Sequence, residues 1–166
     1  TTGVDVGATF TGSDKSDTFS ALDGNVDRIF FDGPVLTNSF GAGDQLNGGA
    51  GIDSLVISTL TANYTLPTLV KATGIENLSV ETVNTGTTTV DTSGFGYADL
   101  AAVTVSAATF VDLVAAETQA VTVKNAGGVS LVGGLSQTVT TTGGFAVSEG
   151  VGAISVVDTS QGAVNS

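Results

Sequence analysis

The chain contains no cysteine, histidine, methionine or tryptophan, and these absences remove whole classes of chemistry. Without Cys there is no disulfide, no reactive thiol and no Cys-ligated zinc, and without His no imidazole can act as a general base. Only 4 Lys plus Arg oppose 16 Asp plus Glu, which gives a net charge of −12. Four cations are too few to cluster on phosphates, so we expect no nucleic-acid partner.

Long apolar runs are also missing, because no stretch approaches the roughly 20 residues that span a bilayer. We therefore expect no membrane insertion, and the acidic balance disfavours binding to anionic lipid surfaces. Proline is scarce, with 2 residues, whereas Gly (23) and Thr (26) are abundant. Thr and the many Val residues favour strands, and glycine at this density marks tight turns. The composition predicts an all-β protein with many short strands.

Valine recurs at a fixed spacing in the second part of the chain. Members of the first series are 18 residues apart, as are those of the second: Val103, Val121, Val139 and Val157; Val111, Val129 and Val147. This repeat predicts a parallel β-roll or β-solenoid with about 18 residues per turn, in which each Val stacks on the Val one turn below. The alternation in Val103-Thr104-Val105 places Val inward and Thr outward. An antiparallel β-sandwich of short hairpins is the alternative, because it also yields strands every 8–12 residues.

The acidic residues divide the chain into two parts. All eight acids up to residue 53 are Asp: Asp5, Asp14, Asp17, Asp23, Asp27, Asp32, Asp44 and Asp53. A short Asp side chain can ligate a hard cation from a tight turn. We therefore predict a calcium-binding β-roll segment over residues 1–60 and a β-solenoid scaffold over 61–166, in one continuous domain that belongs to a longer chain. Thr73–Val83 is predicted to form a turn followed by a strand that joins the two parts.

A nonapeptide motif identifies the chemistry of the first part. Gly48–Val56 (GGAGIDSLV) fits the pattern G-G-x-G-x-D-x-U-x, where U is a large apolar residue. Ser39–Asn47 keeps the Asp and the apolar position, and Gly12–Ser20 is a weaker copy. Glycine turns the loop carbonyls toward one point, and the Asp adds a carboxylate, which together are the hard oxygen ligands that Ca²⁺ takes. The motif predicts ions held between two stacked turns; plain β-turns, in which Asp binds its own backbone, are the alternative.

On these residues the chain resembles the RTX (repeats-in-toxin) family of calcium-binding β-roll proteins. Residues 36–56, followed by Thr73–Val83, are similar to bacterial surface-layer proteins and large adhesins that carry such repeats. The resemblance implies type I secretion and folding outside the cell on calcium. By motif position it implies side-chain ligands at Asp44 and Asp53, carbonyl ligands at Gly48, Ala50, Gly41 and Ser39, and a degenerate copy with Asp17 and Gly12 as ligands, Asp14 at its third position and Lys15 where the family prefers Gly.

An enzyme is not expected. The carboxylate pairs that could hydrolyse glycosides, Asp112 with Glu117 and Glu76 with Glu81, are each five residues apart in strand-like sequence, so their side chains point to opposite faces. We predict instead a structural component of a bacterial surface layer or adhesin that associates with itself or with neighbouring domains of the same surface protein through open ends of the coil. A module that binds cell-surface polysaccharide is the alternative.

Exposed aromatic rings would be needed by a polysaccharide-binding module. The alternation of the strands predicts that Phe19 and Phe110 point inward, which leaves Tyr64 and Tyr97 as the expected surface rings. Two tyrosines are few, so this pattern favours the structural role.

Overall fold

The computed structural model of the chain describes residues 9–23, 43–68, 70–83, 86–143, 145–148 and 151–158. These residues form short strands and one 3-10 helix, Phe95–Tyr97, which lies between the eighth and ninth strands. The strands are β1 (Thr9–Thr11), β2 (Thr18–Asp23), β3 (Gln45–Asn47), β4 (Ser54–Thr59), β5 (Tyr64–Thr65), β6 (Lys71–Thr73), β7 (Asn77–Thr82), β8 (Thr87–Asp91), β9 (Ala102–Ala107), β10 (Phe110–Ala115), β11 (Ala120–Ala126), β12 (Gly128–Gly133), β13 (Ser136–Thr141), β14 (Phe145–Ser148) and β15 (Ile154–Asp158). Within the described ranges, no helix combines the length and the apolar content that crossing a bilayer requires.

The strands form three parallel sheets. A three-stranded sheet has the order β1-β3-β6, a five-stranded sheet the order β14-β12-β10-β8-β5, and a seven-stranded sheet the order β15-β13-β11-β9-β7-β4-β2. Strands that follow each other in the chain belong to different sheets, and every pairing between described strands is parallel. The all-β prediction is therefore confirmed, and the antiparallel sandwich is wrong for this part of the chain. The seven-stranded sheet also runs without interruption across residue 60, where β4 pairs with β7.

The valine series agrees with the sheet register only in part. Val103 lies opposite Val121, and Val111 lies opposite Val129, each 18 positions further along the chain. Val121, however, lies opposite Gln137 rather than Val139, because the connection from β12 to β13 has two residues where the connection from β10 to β11 has four. This tighter connection is possible because Gly133 and Gly134 adopt positive φ (80° and 93°).

The remaining members of the series follow the same shift. Val139 lies between Val123 on one side and Val156 on the other, and Val157 pairs with Thr140. The prediction that Val139 stacks on Val121 and is followed by Val157 was therefore wrong. A fixed spacing of 18 residues cannot predict the strand register beyond the β12–β13 connection, which is two residues shorter than the β10–β11 connection.

The core lies between the facing sheets. Val103 and Val105 are fully buried and Thr104 between them is partly exposed, as the alternation predicted. The same pattern places Leu55 and Leu113 inside on the seven-stranded and five-stranded sheets. Complete burial of a Val or Leu side chain contributes about 1.5–3 kcal/mol. Rows of such side chains, one from each strand, are the main source of stability for the stack.

Two aromatic predictions were wrong. Tyr97 is buried beside β6 and its hydroxyl donates to the carbonyl of Pro67 (2.5 Å), and Tyr64 is buried at the start of β5. Phe110 points outward and is 44% exposed, because Val111 and Leu113 take the inward positions of β10. Phe19 packs partly buried against the core, as expected. Among the aromatic side chains that the structure describes, Phe95 in the 3-10 helix is the one that is fully exposed.

Candidate metal site

The nonapeptide forms the corner between two sheets. Residues 48–53 connect β3 of the three-stranded sheet to β4 of the seven-stranded sheet, and residues 12–17 connect β1 to β2 in the neighbouring layer. The strand register aligns the two six-residue loops, because Thr11 lies opposite Asn47 and Thr18 opposite Ser54. In the second loop Gly49 (φ 95°) and Gly51 (φ 129°) adopt backbone conformations that other residues rarely take. The glycines of the motif are therefore required by the shape of this corner.

A third layer continues the corner with a shorter loop. Residues 74–76 connect β6 to β7, and the register places Gly74 level with Gly48 and Glu76 level with Asp53. Gly12, Gly48 and Gly74 thus form one row, and Asp17, Asp53 and Glu76 form a second row. The corner is built from three stacked loops, each beginning with Gly and ending with an acid.

Asp53 and Glu76 each accept a hydrogen bond from a backbone amide in the layer before. The N–H of Asp17 donates to Asp53 Oδ1 (2.6 Å), and the N–H of Asp53 donates to Glu76 Oε2 (2.7 Å). Asp99, which follows the 3-10 helix, accepts from the N–H of Gly74 (2.9 Å). These bonds join neighbouring layers, and each uses one carboxylate oxygen of Asp53, Glu76 or Asp99.

The second carboxylate oxygen is treated differently in the first two layers. Asp17 Oδ2 accepts from the backbone N–H (2.6 Å) and the hydroxyl (2.9 Å) of Ser13. These two donors, the backbone N–H first, lower the pKa of the Asp17 carboxyl from its ordinary value. Asp17 is thereby satisfied within its own loop, which is the plain-turn role that the sequence left open.

Asp53 lacks this partner. Its side chain is fully buried (0% exposed), and Oδ2 has no hydrogen-bond partner among the described residues. The residue level with Ser13 is Gly49, which has no hydroxyl, and its N–H donates instead to Asn47 Oδ1 (3.2 Å). A buried carboxylate oxygen without a donor is unfavourable unless another positive group or ion meets it.

Backbone carbonyls and two of these carboxylates surround the same glycines. A Cβ on Gly48 would collide with the carbonyl oxygen of Gly74 and would lie 2.6 Å from Asp53 Oδ2. A Cβ on Gly12 would likewise collide with the carbonyl of Gly48 and lie 2.7 Å from Asp17 Oδ2. In the first two layers a carbonyl oxygen of the next loop and a carboxylate oxygen of the same loop therefore converge on a glycine. Oxygens of these two types are the donors that Ca²⁺ selects.

Carbonyls would have to supply most ligands of any ion at this corner. Among the residues that the structure describes, no three His, Cys, Asp or Glu side chains gather where they could hold a metal. The candidate donors near Gly48 are therefore one carboxylate oxygen, from Asp53, and one carbonyl oxygen, from Gly74.

Asp44, Ala50 and Asp14 are the other ligand candidates within the described residues. Asp44 is buried just before β3, and its carbonyl accepts from the N–H of Lys71 (3.1 Å). Ala50 and Asp14 are exposed in their loops, whereas Ser39 and Gly41 lie outside the described residues.

Asp44 and Asp53 do not occupy neighbouring layers, which differs from the prediction of a clamp between two stacked turns. The two residues precede β3 and β4, which follow one another within one layer and belong to different sheets. The nine-residue spacing therefore separates two corners of one layer. The residues stacked on Asp53 are Asp17 and Glu76.

The sequence did not lead us to place Glu76, Gly74 or Asp99 at this corner, and Glu76 was considered only as a partner of Glu81 in glycoside hydrolysis. A signal for Glu76 was present, because Glu76-Asn77-Leu78 repeats the acid-x-apolar pattern of Asp53-Ser54-Leu55 and of Asp17-Thr18-Phe19. Asp99 follows an irregular segment and carries no comparable signal.

Comparison with known proteins adds no relative to this description. No family model, no curated protein and no solved structure matches the chain.

Proposed function

We propose that the chain is a calcium-binding β-solenoid segment of a secreted bacterial surface-layer protein or large adhesin. Its work is structural: calcium holds neighbouring layers together at the corner formed by residues 12–17, 48–53 and 74–76. The observation that carries the proposal is the fully buried Asp53, whose Oδ2 has no partner among the described residues and lies near the carbonyl of Gly74. A cation is the simplest group that satisfies both oxygens together.

Several residues would hold the ion. Asp53 supplies a carboxylate oxygen and Gly74 a carbonyl oxygen at the second layer, and Asp17 and the carbonyl of Gly48 form the equivalent pair one layer below. Because Ser13 already donates twice to Asp17, we expect the stronger site at Asp53. Asp44, with Ser39 and Gly41, stays a predicted ligand at the corner before β3. Carboxylate and carbonyl oxygens supplied by two loops suit Ca²⁺ better than Mg²⁺, which retains several of its own waters.

Calcium binding would be coupled to folding. An ion that binds the stacked corner and not the unfolded chain stabilises by about 2.7 kcal/mol at a free concentration of 100 times Kd. The chain carries a net charge of −12, so bound cations also offset repulsion in the Asp-rich first part. Low calcium inside the cell and high calcium outside would keep the segment loose before export and order it afterwards.

Assembly is supported by the ends of the stack. The edges of the seven-stranded sheet are formed by β2 and β15, which have no further strand partner among the described residues. Apolar side chains are uncovered at both ends, with Phe10 43% and Ile154 51% exposed. Unpaired edges of parallel strands accept another strand readily. We propose that a second copy, or the neighbouring domain of the same surface protein, docks there.

Calcium titration of the purified chain tests the proposal. We expect strand content, followed by far-UV circular dichroism, to rise with calcium and to fall with a chelator, while Mg²⁺ at equal concentration has a smaller effect. Light scattering on the same samples is expected to report larger particles in calcium. A spectrum and melting curve that do not respond to calcium would overturn the proposal.

One observation favours the polysaccharide-binding alternative. Phe95 is fully exposed in a Gly-Phe-Gly sequence, so its ring is free to contact a partner. A calcium-bound monomer that sediments with cell-wall polysaccharide, and loses this property in Phe95→Ala, would favour the binding module. Calcium-driven polymers that form without polysaccharide would favour the structural role.

A further inference from the structure

An Asn-Gly pair, Asn47-Gly48, stands where β3 enters the second loop of the corner, and the calcium proposal assigns no role to Asn47. The chain has eight Asn, and Asn47 alone is followed by glycine. Because glycine has no side chain to obstruct the approach of its backbone nitrogen, Asn-Gly is the sequence in which an Asn side chain is attacked most easily. In the unfolded chain the Gly48 nitrogen can therefore reach the side-chain carbonyl carbon of Asn47.

We propose that Asn47 is a deamidation site that the folded corner closes and unfolding opens. In the reaction the Gly48 nitrogen bonds to Asn47 Cγ, loses its proton, and expels the side-chain amide as ammonia, which leaves a five-membered succinimide. Water then opens the ring to Asp or, by the other carbonyl, to isoaspartate. No oxidant or reductant is involved.

The folded corner holds both reacting groups. The N–H of Gly48 donates to the carbonyl of Thr73 in the next layer (2.9 Å), so the nucleophile is engaged. Asn47 Oδ1 accepts from the N–H of Gly49 (3.2 Å), which holds the side-chain amide toward Gly49. Attack therefore requires the β3 layer to separate from the β6 layer first. Its rate follows the population of the open corner.

The product cannot regain the stacked corner. Isoaspartate routes the main chain through one additional carbon at residue 47, whose carbonyl accepts from the N–H of Gly12 (2.7 Å) on the opposite side. Gly48 has no room to shift, because even a Cβ there collides with the carbonyl of Gly74. The extra atom therefore breaks the contacts of β3 with both neighbouring layers. Chains in which the corner stays open long enough to form isoaspartate therefore lose the ability to refold.

Peptide mapping by mass spectrometry tests this inference on the full chain. The chain is incubated at mildly alkaline pH, once folded and once in urea, and the modification of each Asn is followed by its mass increase and by an isoaspartate assay. In urea we expect Asn47 to react at least about tenfold faster than Asn63, Asn77 or Asn125, and folding to slow Asn47 by at least about tenfold. Equal rates for Asn47 in the folded and urea-treated chain would overturn it.

A second measurement addresses the product. The isoaspartate form is separated from the urea sample, dialysed and compared with an unmodified control taken through the same steps. We expect the control to recover its strand signal and the modified chain to fail. Full recovery of the modified chain would overturn the claim of irreversibility.

Calcium enters this inference only as the ion that closes the corner, and there it rests on the proposed function. A third arm compares samples without urea, one in calcium and one in chelator. Protection by folding that is the same in both keeps the Asn47 assignment and counts against the calcium proposal. The two proposals can therefore fail independently.

Discussion

Asp53→Asn is expected to be at least as stable as the wild type without calcium and less stable than the wild type when calcium is added. The variant keeps an acceptor for the N–H of Asp17, which the wild-type Oδ1 binds at 2.6 Å. At the position of Oδ2 it places an amide, which can donate to the nearby carbonyl of Gly74. The substitution therefore removes a buried charge and an unpartnered acceptor while it preserves the shape of the side chain.

The difference in the free energy of unfolding between Asp53→Asn and the wild type is expected to have opposite signs in chelator and in calcium. In chelator, relief of the unpartnered Oδ2 is worth about 1–3 kcal/mol, so Asp53→Asn should be at least as stable as the wild type. At a free calcium concentration of 100 times Kd the wild type gains about 2.7 kcal/mol, and the variant, without the charged ligand, gains little. The order of stability should therefore reverse between the two conditions.

Urea unfolding followed by circular dichroism, in chelator and in saturating calcium, measures both differences. Asp112→Asn is the matched control, because Asp112 is a partly exposed, outward residue of β10; we expect it to stay within about 0.5 kcal/mol of wild type and to keep the calcium gain. The reasoning is refuted if Asp53→Asn keeps the full calcium gain, or if it is clearly less stable than wild type in chelator.

Three further outcomes follow from the geometry. Gly48→Ala should destabilise by about 1–3 kcal/mol or more, because its Cβ meets the Gly74 carbonyl, whereas Gly94→Ala, with open space around it, should be neutral in the same urea assay. Hydrogen bonds from Ser13 lower the pKa of Asp17 below 3.8, so the stabilisation that this carboxylate provides is complete above that pH and is lost as pH falls through the lower folded pKa. In thermal melts at acid pH, the melting temperature of Asp17→Asn should therefore decline less steeply with falling pH than that of the wild type. An identical decline would contradict this. Burial, aided by nearby Tyr64 and Asp91, raises the pKa of Tyr97 well above 10.0. Stability should therefore fall as pH rises past 10, where the unfolded chain releases a proton that the folded chain keeps. Tyr97→Phe loses the hydrogen bond to Pro67, worth about 0.5–1.5 kcal/mol, but should lack this loss of stability at alkaline pH.

The local features of this protein were readable from the sequence because they depend on neighbouring residues. Alternation in Val103-Thr104-Val105 sets which side chains a strand buries, and the structure buries both valines. The glycines of residues 48–53 indicated a tight loop, and Gly49 and Gly51 adopt the positive φ that such a loop requires. The sequence also placed a turn and a strand within residues 73–83, where β7 begins at Asn77.

The 18-residue spacing predicted that Val103 stacks on Val121 and Val111 on Val129, but the remaining stacking was decided by the tertiary structure. Register between parallel strands depends on the length of every connection between them, so a repeat of 9 or 18 residues loses its meaning where a connection lengthens or shortens. Asp53 consequently stacks on Asp17, 36 positions earlier, and on Glu76, 23 positions later, and Val121 lies opposite Gln137. The unpartnered oxygen of Asp53 arises only from this stacking, because it depends on Gly49 lying level with Ser13 in another layer.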